Sequence, residues 1–261
     1  MSRPSSARRA AALLLVLSTA GCAAGATRHA SSVVDYLYPE QDAAGRAHAP
    51  AADDPGAVPE LRLPLRVGIA FVPTNQEDAY RGRVSLPGTD RAALLESVAR
   101  HFRQQRFVKA IEIVPTSYLA PRGGFANLDQ VGRMFDLDVV ALVSFDQVQF
   151  TDTRRSAITY LTIVGAYVVN GEKNDTRTIL DAAVFDLRSR KLLFRAPGAS
   201  HVKGSAAPVN LSERRRQDSE EGFRIAAREL IANLERELER FKARAKDAPE
   251  DYRVVPPPPG A

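Results

Sequence analysis

The chain has 261 residues, with 36 Lys and Arg against 31 Asp and Glu, one Cys, no Trp and two Met. At 44% hydrophobic and 26% charged it can build a real core in one or two domains, and a single Cys excludes a disulfide framework and any Cys-based zinc site. Residues 1–21 hold three Arg and no acid, so the remainder carries 33 basic and 31 acidic groups, which removes most of the case for nucleic-acid binding from bulk charge.

The N-terminus divides as a secretory signal does. Arg3, Arg8 and Arg9 form a positive segment, and Ala10 to Leu17 a short apolar one. That apolar run is well short of the ~20 residues needed to span a bilayer. Ser18-Thr19-Ala20-Gly21 then lead into Cys22. This ending resembles the bacterial lipobox, in which a small residue precedes a Cys that becomes lipid-modified and N-terminal. The resemblance implies that residues 1–21 are a lipoprotein signal peptide and that Cys22 carries the acyl chains, each held in the bilayer by ~0.8 kcal/mol per buried CH₂. Ala23 and Ala24, in place of an Asp, imply sorting to the outer membrane with the protein facing the periplasm.

Residues 22–60 have a linker composition of Ala, Gly, Pro, Asp and Ser. As a coil this stretch would span roughly 35 Å, enough to stand a domain off the membrane. One island interrupts it, Ser31 to Pro39 (SSVVDYLYP). It reads either as a short strand or loop docked on the domain, or as a recognition segment whose Tyr36 and Tyr38 meet a partner or the membrane interface.

The expected folded domain is 61–246. Leu65 to Val72 is a compact apolar run closed by Pro73, a buried strand. After a polar loop, Thr89 is a candidate N-cap, and Leu94, Leu95, Val98 and Phe102 recur at helical spacing to about Arg106. Lys109 to Val114 is a second strand, ended by Pro115. Leu128, Val131, Met134 and Phe135 mark a short helix, and Asp138 to Phe150 a third strand. The order β-α-β-α-β favours parallel pairing. Ile158 to Val169 is β-branched and aromatic, with a turn expected at Asn170-Gly171. Thr178 to Leu187 and Lys191 to Arg195 flank Arg188-Ser189-Arg190 as an antiparallel hairpin. From Ser212 to about Lys246, Phe223, Ala227, Leu230, Leu234, Leu238 and Phe241 step by three or four along one long amphipathic helix. Glu220 with Arg224, and Glu239 with Lys242, are candidate surface pairs. Residues 247–261, ending PPPPGA, read as a disordered tail. The fold class is therefore mixed α/β.

Three stretches, SSVVDYLYP at Ser31 to Pro39, TIVGAYVVNGEKNDT at Thr162 to Thr176 and LDAAVFDLRSRKLLFRAPG at Leu180 to Gly198, occur together with the lipobox. In this the chain resembles the bacterial rhombotarget lipoproteins, a family that occurs alongside the rhombosortase protein-sorting system. The resemblance implies a link to that system and carries no catalytic residues. The end PPPPGA lacks the C-terminal Gly-Gly motif, apolar helix and basic end of rhombosortase substrates. The element order is more distantly similar to periplasmic α/β lipoprotein domains, including the curli-secretion lipoprotein.

Chemistry-bearing constellations are few. His29, His48, His101 and His201 share no metal-ligand spacing, so no metal is expected. No P-loop, G-x-S-x-G or G-x-G-x-x-G occurs, so neither enzyme activity nor a cofactor is expected. Asp136 and Asp138 read as turn residues. Glu172-Lys173-Asn174-Asp175 reads as a charged hairpin loop or, alternatively, a partner contact. Arg214-Arg215-Arg216 sit in the first turn of a helix, an unfavourable end for cations, where a solvated face competes with an anion contact. The expected role is a non-enzymatic, membrane-anchored accessory or adaptor protein with an envelope protein partner and no nucleic acid. The alternative is an oligomeric secretion or pore subunit, a homo-oligomer using the apolar strands after Ser156.

Overall fold

The computed structural model describes residues 25–38, 57–74, 88–153, 172–206 and 211–257. Its main element is a six-stranded sheet. Strands β3 (Leu65–Phe71), β4 (Val108–Ile113) and the first part of β5 (Val139–Thr153) are parallel in the order β4-β3-β5. Helices α2 (Gly88–Phe102) and α3 (Gly124–Phe135) make the two crossovers, so the β-α-β-α-β reading stands. Strands β6 (Glu172–Asp186) and β7 (Leu192–Ala206) then add antiparallel beyond β5. The expected hairpin is present and runs to 15 residues on each side. Its tight turn is held by Asp186, whose carboxylate accepts from the Ser189 N–H at 2.7 Å and from the Ser189 hydroxyl.

Alternation at period two divides the sheet's side chains between two cores. Val139, Ala141, Val143 and Phe145 point to one face with Leu180, Ala182 and Val184; Val140, Leu142, Ala183 and Phe185 point to the other. The first face is covered by α2 and by α4 (Leu211–Asp247). The second is covered by α3 and by the short α1 (Val33–Leu37). The long helix has the predicted stripe with one change: Phe223, Leu230, Leu234, Leu238 and Phe241 are buried, each large side chain contributing ~1.5–3 kcal/mol, but Ala226 is buried in place of the expected Ala227, which is only partly buried. Of the two predicted surface pairs, Glu239–Lys242 forms at 2.7 Å, whereas Arg224 pairs with Glu221 and Glu220 with Arg216.

Three departures from the sequence expectations concern the ends of the chain. Gly25–Ala30 forms a strand, β1, not a spacer, and pairs antiparallel with β5 from Gly25↔Thr151 to Ala30↔Asp146. Strand β5 is long enough for β3 to occupy its edge first and β1 to take over that edge further along. The island after β1 docks as expected but as a helix. Ser32 caps it, accepting from the Asp35 N–H at 3.2 Å, and Val33, Tyr36 and Leu37 are buried at one-helical-turn spacing. At the other end, Arg253–Val255 forms β8, parallel to β2 (Glu60–Arg62), within what was expected to be a disordered tail. Tyr252 packs edge-on to Phe241, 5.2 Å between ring centroids, which ties this small sheet to α4.

The C-terminal half of α4, the main sheet and the β2–β8 pair enclose a cavity of about 560 Å³. Sealed around nothing, a space of that size would cost on the order of 13 kcal/mol, as much as a whole domain's stability. The half-exposed or exposed lining residues Phe102, Phe107, Lys246 and Val254 show where it opens.

Candidate functional site

Helix α1 and helix α3 cover only the lower half of their face of the sheet. Beyond them β5, β6 and β7 continue, with β1 on the β5 edge, as a four-stranded blade. Its α4 side is closed by a polar layer. Buried Gln147 donates to Thr178 Oγ1 at 2.8 Å and to the Ser219 carbonyl at 3.2 Å, and its Oε1 accepts from Ser219 Oγ at 2.6 Å. Gln149 donates to the Arg215 carbonyl at 2.9 Å, and Ser200 Oγ to the Gly222 carbonyl at 2.7 Å.

The blade's other side faces outward, and this is the candidate interaction surface. Arg177, Ile179, Arg195, Pro197, Ala199, His201 and Lys203 are exposed on it. Two ion-pair clusters lie across the strands. Asp175 meets His201 Nε2 at 2.8 Å and Arg177 Nε at 3.5 Å, and Asp181 meets Arg195 Nε at 2.6 Å. Partial burial pushes the Asp175 carboxyl up, but the hydrogen bond and charge of His201, together with Arg177, outweigh it and hold the group below the usual Asp range. Between the clusters, Ile179 is 50% exposed. The surface therefore offers fixed charges of both signs around an apolar centre, a pattern suited to a protein partner.

The predicted contact residues separate on this framework. Glu172, Lys173, Asn174 and Asp175 lie within β6, paired with Thr153 to Phe150 of β5 and with Ala206 to Lys203 of β7, so they are strand and not loop. The strand begins six residues before the expected start at Thr178. Asp175 belongs to the open face. Tyr36 does not meet a partner: it is 2% exposed, its hydroxyl donates to Asn127 Oδ1 at 2.9 Å, and burial pushes its phenol up. Asn127 also accepts from the Ala120 N–H at 2.8 Å and donates to the Tyr118 carbonyl at 3.2 Å, so it ties α1 and the preceding loop to α3. Tyr38 is 50% exposed and leans edge-on against Phe125, 5.9 Å between centroids. Asp136 caps α3 in the left-handed region at φ 52°, the role expected of it, whereas Asp138 accepts from the Arg66 N–H of β3 at 2.8 Å and so ties the junction to the neighbouring strand.

Two of the three arginines at the start of α4, Arg214 and Arg216, are engaged on their own helix. Arg214 meets the buried Asp218 at 3.1 Å, and Arg216 meets Glu213 at 2.7 Å and Glu220 at 2.8 Å. These acids answer the unfavourable position of the cations. The hydrogen bonds from Arg216 and Gln217 hold Glu213 below the usual Glu range. Cys22, His29 as a side chain, and the run Ile158 to Val169 lie outside the described residues. Among those residues, no group of three or more His, Cys, Asp or Glu could hold a metal ion, and no helix is long and apolar enough to cross a membrane.

The open face was invisible in the sequence, although the alternation of Arg177, Ile179, Asp181 against Thr176, Thr178, Leu180 carries its signal. No protein-family model and no curated protein match the chain. Among solved structures the chain is similar to a PelC dodecamer from Paraburkholderia phytofirmans at 8% identity, over 79% of this chain and 96% of that one, with a TM-score of 0.28. A putative neuraminyllactose-binding hemagglutinin homolog from Helicobacter pylori overlaps at 8% identity over 73% and 94%, with a TM-score of 0.37. Lipoprotein GNA1162 from Neisseria meningitidis overlaps at 12% identity over 59% and 97%, with a TM-score of 0.26. Overlaps this loose carry no argument about role.

Proposed function

We propose that this chain is an outer-membrane lipoprotein, anchored through Cys22 and facing the periplasm, that acts without catalysis as an adaptor in envelope assembly or protein sorting. The observation that carries the reading is the start of β1. Gly25 already sits in the main sheet, only three residues after Cys22, so at most ~11 Å of chain separates a lipid from the folded domain. The standoff expected of a long linker is thereby replaced by a close, fixed attachment. The same end of the blade carries Thr153, Glu172, Ala206 and, through the Gln149–Arg215 bond, the first turns of α4. An anchor there presents the charged open face of β5–β7 beside the membrane, where an envelope partner would meet it. The rhombotarget resemblance suggests a sorting pathway as the setting, and the non-enzymatic part of the reading rests on the absence of catalytic motifs in the sequence.

The test is palmitate labelling and membrane fractionation of the intact protein and of Cys22→Ser, followed by crosslinked affinity purification of each. Label on the outer membrane lost in Cys22→Ser, with a defined envelope protein recovered only by the anchored form, supports the reading. That recovery should fall when Arg177 and Arg195 are both replaced by Glu. A ladder of self-crosslinks and no other protein replaces the adaptor with the oligomeric secretion subunit.

A further inference from the structure

We infer that the cavity between the main sheet and the C-terminal half of α4 is a binding site for one acyl chain of a lipid or fatty acid with an anionic head. The inference goes beyond the adaptor reading and does not rest on it. The cavity's volume, about 560 Å³, lies within the 300–1,000 Å³ range of small-molecule sites. Its lining is drawn from every layer of this face: Ile69 and Val108 from the parallel strands, Ala141 and Ala182 from the sheet centre, Leu234 and Phe241 from α4. Among the described residues, the only lining ones that are not apolar are Lys242 and Lys246, and none is an acid. A space so uniformly apolar offers water no hydrogen-bond partners, but it offers a methylene chain continuous contact.

The two lysines define the end of the ligand that stays outside. Lys246 is exposed at the opening, and the Lys242 ammonium lies 4.8 Å from the centroid of Phe107. Both stems can lie along the apolar rim with their charges in water. Lys242 also meets Glu239 at 2.7 Å on the outer surface, so a carboxylate or phosphate at the mouth would compete with an exposed pair and meet Lys246 directly. The lipid on Cys22 is a poor occupant. Lys246 lies some 50 Å along α4 from its first turn, further than three residues and an acyl chain extend, and the polar layer of Gln147, Thr178 and Ser219 fills the path between. The occupant is therefore a separate lipid molecule.

The test uses the full chain carrying Cys22→Ser, purified without detergent and titrated with dansyl-labelled undecanoic acid. Saturable one-to-one binding is expected, with palmitate displacing the probe at about tenfold lower concentration than hexadecanol, the uncharged analogue. In a Lys242→Gln, Lys246→Gln variant the two competitors should become equal while hexadecanol still displaces. Ala141→Leu, which intrudes on the middle of the cavity, should weaken probe binding by about tenfold or more with the far-UV circular dichroism unchanged. No saturable binding to the folded chain overturns the inference, as does an affinity unchanged by Ala141→Leu. Equal displacement by the two competitors before the lysines are changed overturns the anionic head. One probe per two chains, with dimers in light scattering, assigns the surface to a second copy of the protein instead.

Discussion

At Gly198 the backbone of α4 passes so close to β7 that a Cβ would sit 2.2 Å from the Ala226 carbonyl oxygen and 2.6 Å from the Leu230 nitrogen. Both neighbours are backbone and cannot turn aside. Gly198→Ala should therefore lower stability by about 3 kcal/mol, the upper part of the range for overpacking, measured by urea unfolding. Gln147 works by a different principle, since its amide satisfies buried groups on two elements at once. Gln147→Ala should destabilise by about 2 kcal/mol because Thr178 and Ser219 lose their partner without gaining water. The open face contributes a pH-dependent component. The Asp175 carboxyl is held below its unfolded value of about 3.9, so its stabilisation is present above that value and is lost as pH falls through the folded one. In acid melts, Asp175→Asn should fall less steeply with pH than the unmodified chain below about pH 4, with parallel curves above pH 6.

Helix α4 does more than close a core. Its Glu229 accepts from the Ala199 N–H at 2.8 Å, Asn233 donates to the Pro197 carbonyl at 2.5 Å, and Arg244 to the Leu193 carbonyl at 3.2 Å. These are groups on the outer edge of β7, so the helix blunts an edge that another strand could otherwise join. The helix was readable because its apolar stripe persists from Phe223 to Phe241, about five turns, and the β-α-β-α-β half because prolines and loops punctuate compact apolar runs. The short elements were not readable, and for distinct reasons. Gly25–Ala30 has the composition of a spacer and becomes a strand only because β5 leaves an edge for it. The β-branched start of Val33–Leu37 suggests extension, yet the cap at Ser32 and burial of one face decide for helix. Arg253–Val255 is too short to announce itself and depends on β2. A chain truncated after Asp247 loses β8 and the Tyr252–Phe241 contact, uncovers Leu61, and should melt about 5 °C lower or more by circular dichroism.

At the scale of the whole molecule, β5 is the strand on which everything else is hung: β3 and β1 share one edge, β6 takes the other, and both cores meet its faces. Deleting residues 25–30 should leave the fold of the lower half intact but open the β5 edge from Asp146 to Thr151, and light scattering should then report concentration-dependent association. The cavity and the open face belong to this scale as well, since neither exists until strands distant in sequence are brought side by side. The placement of β1 also has a consequence in time. Ala30 faces Asp146, so the first strand to leave the ribosome has no seat until most of the chain has been made. During that wait an adhesive, β-branched segment would be a hazard to its neighbours, because it could join strands of other unfinished chains. The plain sequence GATRHA, without one β-branched aliphatic residue, suits a strand that must stay unattached until its own sheet can receive it.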